Sequence, residues 1–344
     1  MFHLFLSSLR KSYRKIFPKM IRNLLWQLIF KQFLGGRIFY FPKYIPERIK
    51  RFYKSAPIPP IDILGIELDC SSSKMNIPFE SDLCRFEDIN HIEYKNICNN
   101  VFLLPVNYQR KQWEWIYIYY QLLKSEALSP GKKGLGLGVG KEPLAAIFAS
   151  RGCQILATDA PTENSSGWIN TDQHASNINS LEQQNIINID EFRSLCKFKF
   201  LDMNQHHLIP QGYDFHWSSC VIEHLGGFSN IKSFLIESAK RLNPGGIAVH
   251  TTEFNLTSNE DTYSEVDCYV FRRVDIDLLS KELNMNGLNM KKIIFNVGSH
   301  PYNYHIDISS TQASTSDLHL RNLIGDFACT SMGIVLHKNK ISYK

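Results

Sequence analysis

The stretch Lys132–Pro143, KKGLGLGVGKEP, puts glycine at four alternate positions, Gly134, Gly136, Gly138 and Gly140, with Lys-Glu-Pro directly behind. A phosphate-cradling P-loop needs GxxxxGK followed by Ser or Thr. Here its first glycine would fall on Leu135, and Glu142 would replace the metal-binding hydroxyl. A dinucleotide turn needs GxGxxG, with the third glycine allowing close helix–strand packing. That position falls on Val139, Lys141 or Pro143, depending on register. An acid at Glu142 would also repel a pyrophosphate at a helix N-terminus. The remaining form is GxGxG over Gly136, Gly138 and Gly140, a backbone that can approach a ligand without phosphates.

Outward from this turn, strands alternate with helices. Arg110–Leu128 reads as one helix, ended by Ser129-Pro130-Gly131. Pro143 suits the first turn of a helix running to about Ser150, because its missing N–H costs nothing there. Strands are predicted at Gln154–Thr158, Lys197–Leu201, Tyr213–Ser218, Ile247–Glu253, Lys291–Val297 and Phe327–Leu336, with helices at Ile231–Leu242 and Asp275–Leu283. This alternation predicts a doubly wound α/β sheet whose ligand sits at the carboxyl ends of the strands. Those ends carry Gly136–Gly140, Asp159, Asp202, Ser218–Ser219 and Thr251–Glu253.

The order and spacing of these residues resemble the class I S-adenosylmethionine-dependent methyltransferases. Asp159 follows Gly140 by 19 residues, where a carboxylate can accept both ribose hydroxyls. The resemblance puts Asp202-Met203 at the adenine, and aligns YDFHWSSCVIEHLG and LNPGGIAVHTTEF with the family's fourth and fifth strands. It covers residues 107–344 and implies a Rossmann-like methyltransferase sheet with S-adenosyl-L-methionine as cofactor. More narrowly, RKQWEW, GxGxGKEPL, WSSCxxEHLGG and HTTEFN resemble bacterial, type 11-like methyltransferases associated with surface-polysaccharide gene clusters. The implied cofactor contacts are Gly136, Gly138, Gly140, Asp159, Asp202, Met203 and Ser218. Trp113, from the aromatic stripe Trp113–Tyr120, is a further candidate, although such stripes usually build cores. One departure stands out. The family places an acid two residues before its first glycine, to take the ligand's α-ammonium, and this chain has Gly134 there. Glu142 is the candidate replacement; the same position also suits an ordinary first-turn acid stabilised by the helix dipole.

Methyl transfer to a hydroxyl needs in-line alignment and a base that titrates near neutrality. Histidine does so without much tuning. His224, after the fourth strand, and His250, in the fifth, are the candidates, with Glu223 and Glu253 as alternative bases or as carboxylates that orient a histidine. Each also has a structural reading, His224 as a loop tether and His250 as a core residue. The family's nucleobase N-methylating members carry [Asp/Asn]-Pro-Pro-aromatic at the fourth strand end. Here the residues are Ser218-Ser-Cys-Val, which disfavours that acceptor.

The net charge of +5 is unevenly placed. Residues 1–54 hold 13 Lys and Arg against one acid, Glu47, leaving 25 basic and 32 acidic residues beyond. Ile21, Leu24, Leu25, Leu28, Ile29 and Phe33 follow helical spacing, so residues 1–55 read as a basic amphipathic arm, a helical N-terminal extension suited to an anionic membrane surface. Pro57, Pro59 and Pro60 open a linker and cap region over residues 56–106. Eight cysteines show no CxxC pair or zinc spacing, which favours a reducing cytosol, and no apolar run is long enough to span a bilayer. The sequence therefore predicts a cytoplasmic enzyme, peripheral to the inner membrane face, that methylates an oxygen of a sugar, a glycan or another small polar acceptor. RNA methylation gripped by the basic arm, and a catalytically silent cofactor-binding module, are the alternative readings.

Overall fold

The computed structural model describes residues 78–162, 173–265, 268–304, 306–307, 318–325 and 327–340. The basic arm over residues 1–55 and the first part of the linker region, residues 56–77, lie outside the described residues. Helix α1 spans Arg110–Lys124, fifteen residues free of Gly and Pro. Strand β1 (Lys133–Leu137) runs into the glycine turn, then come α2 (Leu144–Ser150) and β2 (Gln154–Asp159). Helix α3 (Ile189–Leu195) leads into β3 (Cys196–Phe200), and β4 (Tyr213–Ser219) precedes α4 (Phe228–Lys240). The chain continues with β5 (Leu242–Asn255), α5 (Arg273–Met285), β6 (Leu288–Met290), β7 (Asn322–Ile324) and β8 (Phe327–Lys338).

The sheet order is β7-β8-β5-β4-β1-β2-β3, with β6 also pairing β8. Strands β1 to β5 are mutually parallel, whereas β8 runs antiparallel to β5, β6 and β7. The order reverses at β1: β2 and β3 lie to one side, β4 and β5 to the other. That is the topological switch point, outside which an α/β sheet opens its ligand crevice. The doubly wound reading thus stands.

Side chains alternate across each strand and give the sheet two apolar faces. Phe148 of α2 packs edge-on against Phe215 and Trp217 of β4, while Phe234 of α4 packs against His250 on the opposite face. Gly333 of β8 lets α1 come close, since a Cβ there would lie 2.1 Å from the Tyr117 ring. Residues 78–106 join the same core: Phe79 packs on Trp113, Tyr117 and Tyr120, and Asp82 accepts the Tyr117 hydroxyl at 2.6 Å.

One predicted strand is displaced. The sixth strand occupies Leu288–Met290 rather than Lys291–Val297. Beyond Lys291 the backbone leaves β8 and bonds to Asp82 instead: the Ile294 N–H donates to its carboxylate at 2.9 Å, and the Ile294 carbonyl accepts from its N–H at 3.0 Å. Apolar alternation cannot reveal that a distant Asp will take those backbone groups. Among the described residues, no helix is long and apolar enough to cross a membrane.

Candidate active site

A cavity of about 420 Å³ opens at the switch point. Its walls come from the β1 turn (Gly138, Gly140–Glu142), the end of β2 (Asp159, Ala160), the end of β3 (Leu201–Asn204) and the turn after β4 (Ser219–Val221, His224, Leu225). Gln173 and His174 close one side, and Lys111 and Trp115 reach in from α1.

The four glycines divide into two pairs with different physical reasons. Gly138 and Gly140 have φ of +63° and +52°, the left-handed region that disfavours side chains. A Cβ on Gly138 would meet Val221 at 2.6 Å, and one on Gly140 the Gln173 carbonyl at 2.9 Å. These two shape the cavity. Gly134 and Gly136 lie within β1, where a Cβ would stand 2.3 Å from Phe215 and 2.4 Å from Trp217. Gly136 thus seats an aromatic ring, and the residues of this motif that line the cavity are Gly138 and Gly140. The missing acid at Gly134 has the same explanation, because the Phe215 ring fills the space a carboxylate would need.

Asp159 organises the turn. Its Oδ2 accepts the Gly140 N–H at 3.1 Å and the Ala175 N–H at 3.0 Å, and its Oδ1 accepts the Ala160 N–H at 2.8 Å. Burial pushes its carboxyl upward, and these backbone donors work the other way. Asp202 and Met203 line the cavity at the end of β3, with Asp202 Oδ1 fixed by the Asn204 N–H at 2.9 Å.

Glu142 lines the cavity too, and Lys111 Nζ lies 2.8 Å from its Oε1. Its second oxygen, Oε2, is buried with no hydrogen bond of good geometry, beside the Trp115 indole N–H, which lacks one too and helps hold the carboxyl down. Burial raises the Glu142 carboxyl, opposed chiefly by Lys111. On Lys111 partial burial disfavours the cation, yet Glu142 and Glu114 together hold its pKa above the usual lysine value. Lys111 is anchored further by the Ser219 carbonyl and hydroxyl, both at 3.1 Å.

Behind this wall lies a polar network that spacing alone does not announce. Glu114 is fully buried on α1 and accepts from Ser331 Oγ at 2.5 Å, Ser219 Oγ at 3.1 Å and Cys220 Sγ at 3.1 Å. Arg110, four residues before it, pairs with Glu253 of β5. Cys220 adopts φ +44°, a strained value for a side-chain-bearing residue, held by its N–H donating to the Thr251 carbonyl and hydroxyl at 3.1 Å each.

Of the candidate bases, His224 lines the cavity. Glu223, next to it, is 2% exposed and accepts from Thr252 Oγ1 at 3.2 Å. Burial lifts its pKa to about 7, with His224 pulling the other way. His250 is fully buried, its Nδ1 2.7 Å from Ser218 Oγ, so these two partner each other and neither borders the cavity. Trp113 is likewise a core residue, its indole N–H donating to Asp88 at 3.2 Å; Trp115, two positions on, is the tryptophan at the cavity. Lys111, His174 and Cys220 escaped the sequence reading, and Trp115 was in the aromatic stripe but passed over for Trp113. Lys111 and Trp115 are four residues apart and so share a helix face, the signal that separates Trp115 from Trp113 within the stripe.

No protein-family model and no curated protein matches the chain. Among solved structures it is similar to one described as a sarcosine dimethylglycine methyltransferase from Galdieria sulphuraria, at 15% identity and TM-score 0.41, covering 65% of this chain and 85% of that one. It is also similar to a magnesium protoporphyrin IX methyltransferase from Synechocystis with bound S-adenosylhomocysteine, at 12% identity and TM-score 0.38, over 72% of this chain and 99% of that one. A third is an S-adenosylmethionine-dependent methyltransferase from Clostridium acetobutylicum, at 11% identity and TM-score 0.38, over 72% of this chain and 98% of that one. At that distance the likenesses carry no argument about the reaction, which has to come from the cavity's own residues.

Proposed function

We propose that the protein is an S-adenosylmethionine-dependent methyltransferase acting on an oxygen of a sugar, a glycan or another small polar acceptor. The observation that carries this reading is the meeting of the Gly138–Gly140 turn, Asp159 and Asp202 around one cavity at the switch point. The residues fit such a cofactor. Asp159 would take the ribose hydroxyls, and Asp202 with Met203 would border the adenine. The unpartnered Oε2 of Glu142 would receive the α-ammonium. The cofactor supplies an electrophilic methyl group; the chain supplies alignment and a proton acceptor.

Lys111 fixes Glu142 through the 2.8 Å ion pair, which favours the charged carboxylate against the burial that disfavours it. His224, at the β4 end of the cavity, would accept the acceptor's hydroxyl proton, with buried Glu223 alongside to stabilise the imidazolium. The basic arm supports an acceptor presented at an anionic membrane surface.

Calorimetric titration with S-adenosylmethionine tests the cofactor half of this reading. Binding should be about 100-fold weaker in Asp159→Ala, because the substitution removes a ligand contact and unties the glycine turn. Equal affinity in both proteins would refute it. Transfer of labelled methyl to nucleotide sugars, lipid-linked glycans and RNA identifies the acceptor. Sedimentation with phosphatidylserine vesicles, strongest at low salt, tests the arm.

A further inference from the structure

Among the described residues, Cys220, Glu223 and Glu253 form a group of metal-ligating side chains whose donor atoms lie within 4.8 Å of one another. They come from three places in the chain: the strained turn after β4, the short 3-10 helix Ile222–His224 that follows, and the end of β5. Glu223 and Glu253 are 2% and 5% exposed, while Cys220 borders the cavity and so gives the group its access to solvent. Arg110 Nη1 occupies only Oε1 of Glu253; Oε2 is buried with no hydrogen-bond partner. A carboxylate oxygen sealed from water in this way is costly unless something binds it.

Charge leads to the same place. The carboxylates of Glu114, Glu142 and Glu253 share two permanent cations, Arg110 and Lys111, each already divided between two acids, and Glu223 pairs with neither. The one charge left over, with the thiolate that Cys220 becomes on binding, suits a dication. We infer that Cys220, Glu223 and Glu253 form a divalent transition-metal site, for an ion of the zinc class. A thiolate ligand selects such ions over magnesium or calcium, which prefer oxygen alone. Three protein ligands leave a fourth position open, the arrangement of a site that receives a ligand. Binding would displace the Cys220 thiol proton, which the thiol otherwise donates to Glu114 at 3.1 Å, and release it to solvent through the cavity. Glu114 would keep its bonds from Ser331 and Ser219. The use of the site rests on the proposed function: an acceptor hydroxyl at the open position would lose its proton more readily.

The test is titration of the full chain, reduced, with Co2+ and then Zn2+. One equivalent of cobalt should produce a thiolate-to-metal charge-transfer absorption that zinc abolishes. Cys220→Ser should remove that absorption, Glu253→Gln should weaken binding at least 10-fold, and Cys268→Ser should change neither. S-adenosylmethionine affinity, measured on the same samples, reads the cofactor pocket separately from the metal. Wild-type protein that binds S-adenosylmethionine but gives no charge-transfer absorption overturns the site, as does absorption that survives Cys220→Ser. Should Cys220→Ser not fold, unchanged cobalt affinity in Glu253→Gln overturns it.

Discussion

Lys111 Nζ sits 2.8 Å from Glu142 Oε1, joining a helix outside the parallel strands to the residue directly behind the glycine turn. The pair secures one carboxylate oxygen and leaves the other, buried and unpartnered, beside the cavity. Sequence alone offers Glu142 as a substitute acid; the ion pair gives it a defined orientation.

Replacing Glu142 by Gln keeps the shape and removes the charge. S-adenosylmethionine affinity should fall about 10- to 100-fold, the cost of a charged hydrogen bond in a partly buried site. S-adenosylmethionine affinity equal to wild type would show that Glu142 serves only to hold Lys111.

Restoring an acid at the family's usual position should fail. In Gly134→Asp the new Cβ would lie 2.3 Å from Phe215 Cζ, inside the β1–β4 pairing. Overpacking costs about 1–3 kcal/mol, and an unpaired buried carboxylate adds to that. Urea denaturation should show a lower midpoint with no gain in cofactor affinity. A variant as stable as wild type would mean that β4 yields easily.

His224 and Glu142 should separate by kinetics. His224→Ala should retain cofactor affinity within about threefold while turnover falls about 10²- to 10⁴-fold, the usual contribution of a general base. Intact turnover would return His224 to a structural role in its loop.

Acid should destabilise the fold through two buried histidines. His216 and His250 are fully buried, and burial lowers each pKa from 6.5 to about 3. Below pH 6.5 the unfolded chain takes up protons that the folded one refuses, so stability falls as pH drops from about 6.5 toward 3. Neither ring nitrogen of His216 has a hydrogen-bond partner, so His216→Leu removes a titrating group without stranding another. Between pH 6.5 and 5 its stability should decline less steeply than wild type, by up to about 1.4 kcal/mol per pH unit. Other groups titrate alike in both proteins, so parallel slopes would contradict the assignment.

Sequence alone determined the local elements and the order of the parallel strands' chemistry. Glycine spacing excluded phosphate loops, and the acids at Asp159 and Asp202 marked the strand ends, because backbone freedom and strand termini depend on neighbours in the chain. Tertiary structure decided which of those residues share a surface. Gly134 and Gly138 look alike in the motif, yet one seats Phe215 and the other bends at φ +63° beside the cavity. Trp113 and Trp115 are two positions apart, one in the core and one at the cavity, because the rotation of α1 is set by Gly333 and Asp82, both distant in sequence. The buried network of Arg110, Glu114, Cys220 and Glu253 spans more than 140 residues of chain. Nothing local prefigures it, because charges are buried together only where packing brings opposite signs within reach.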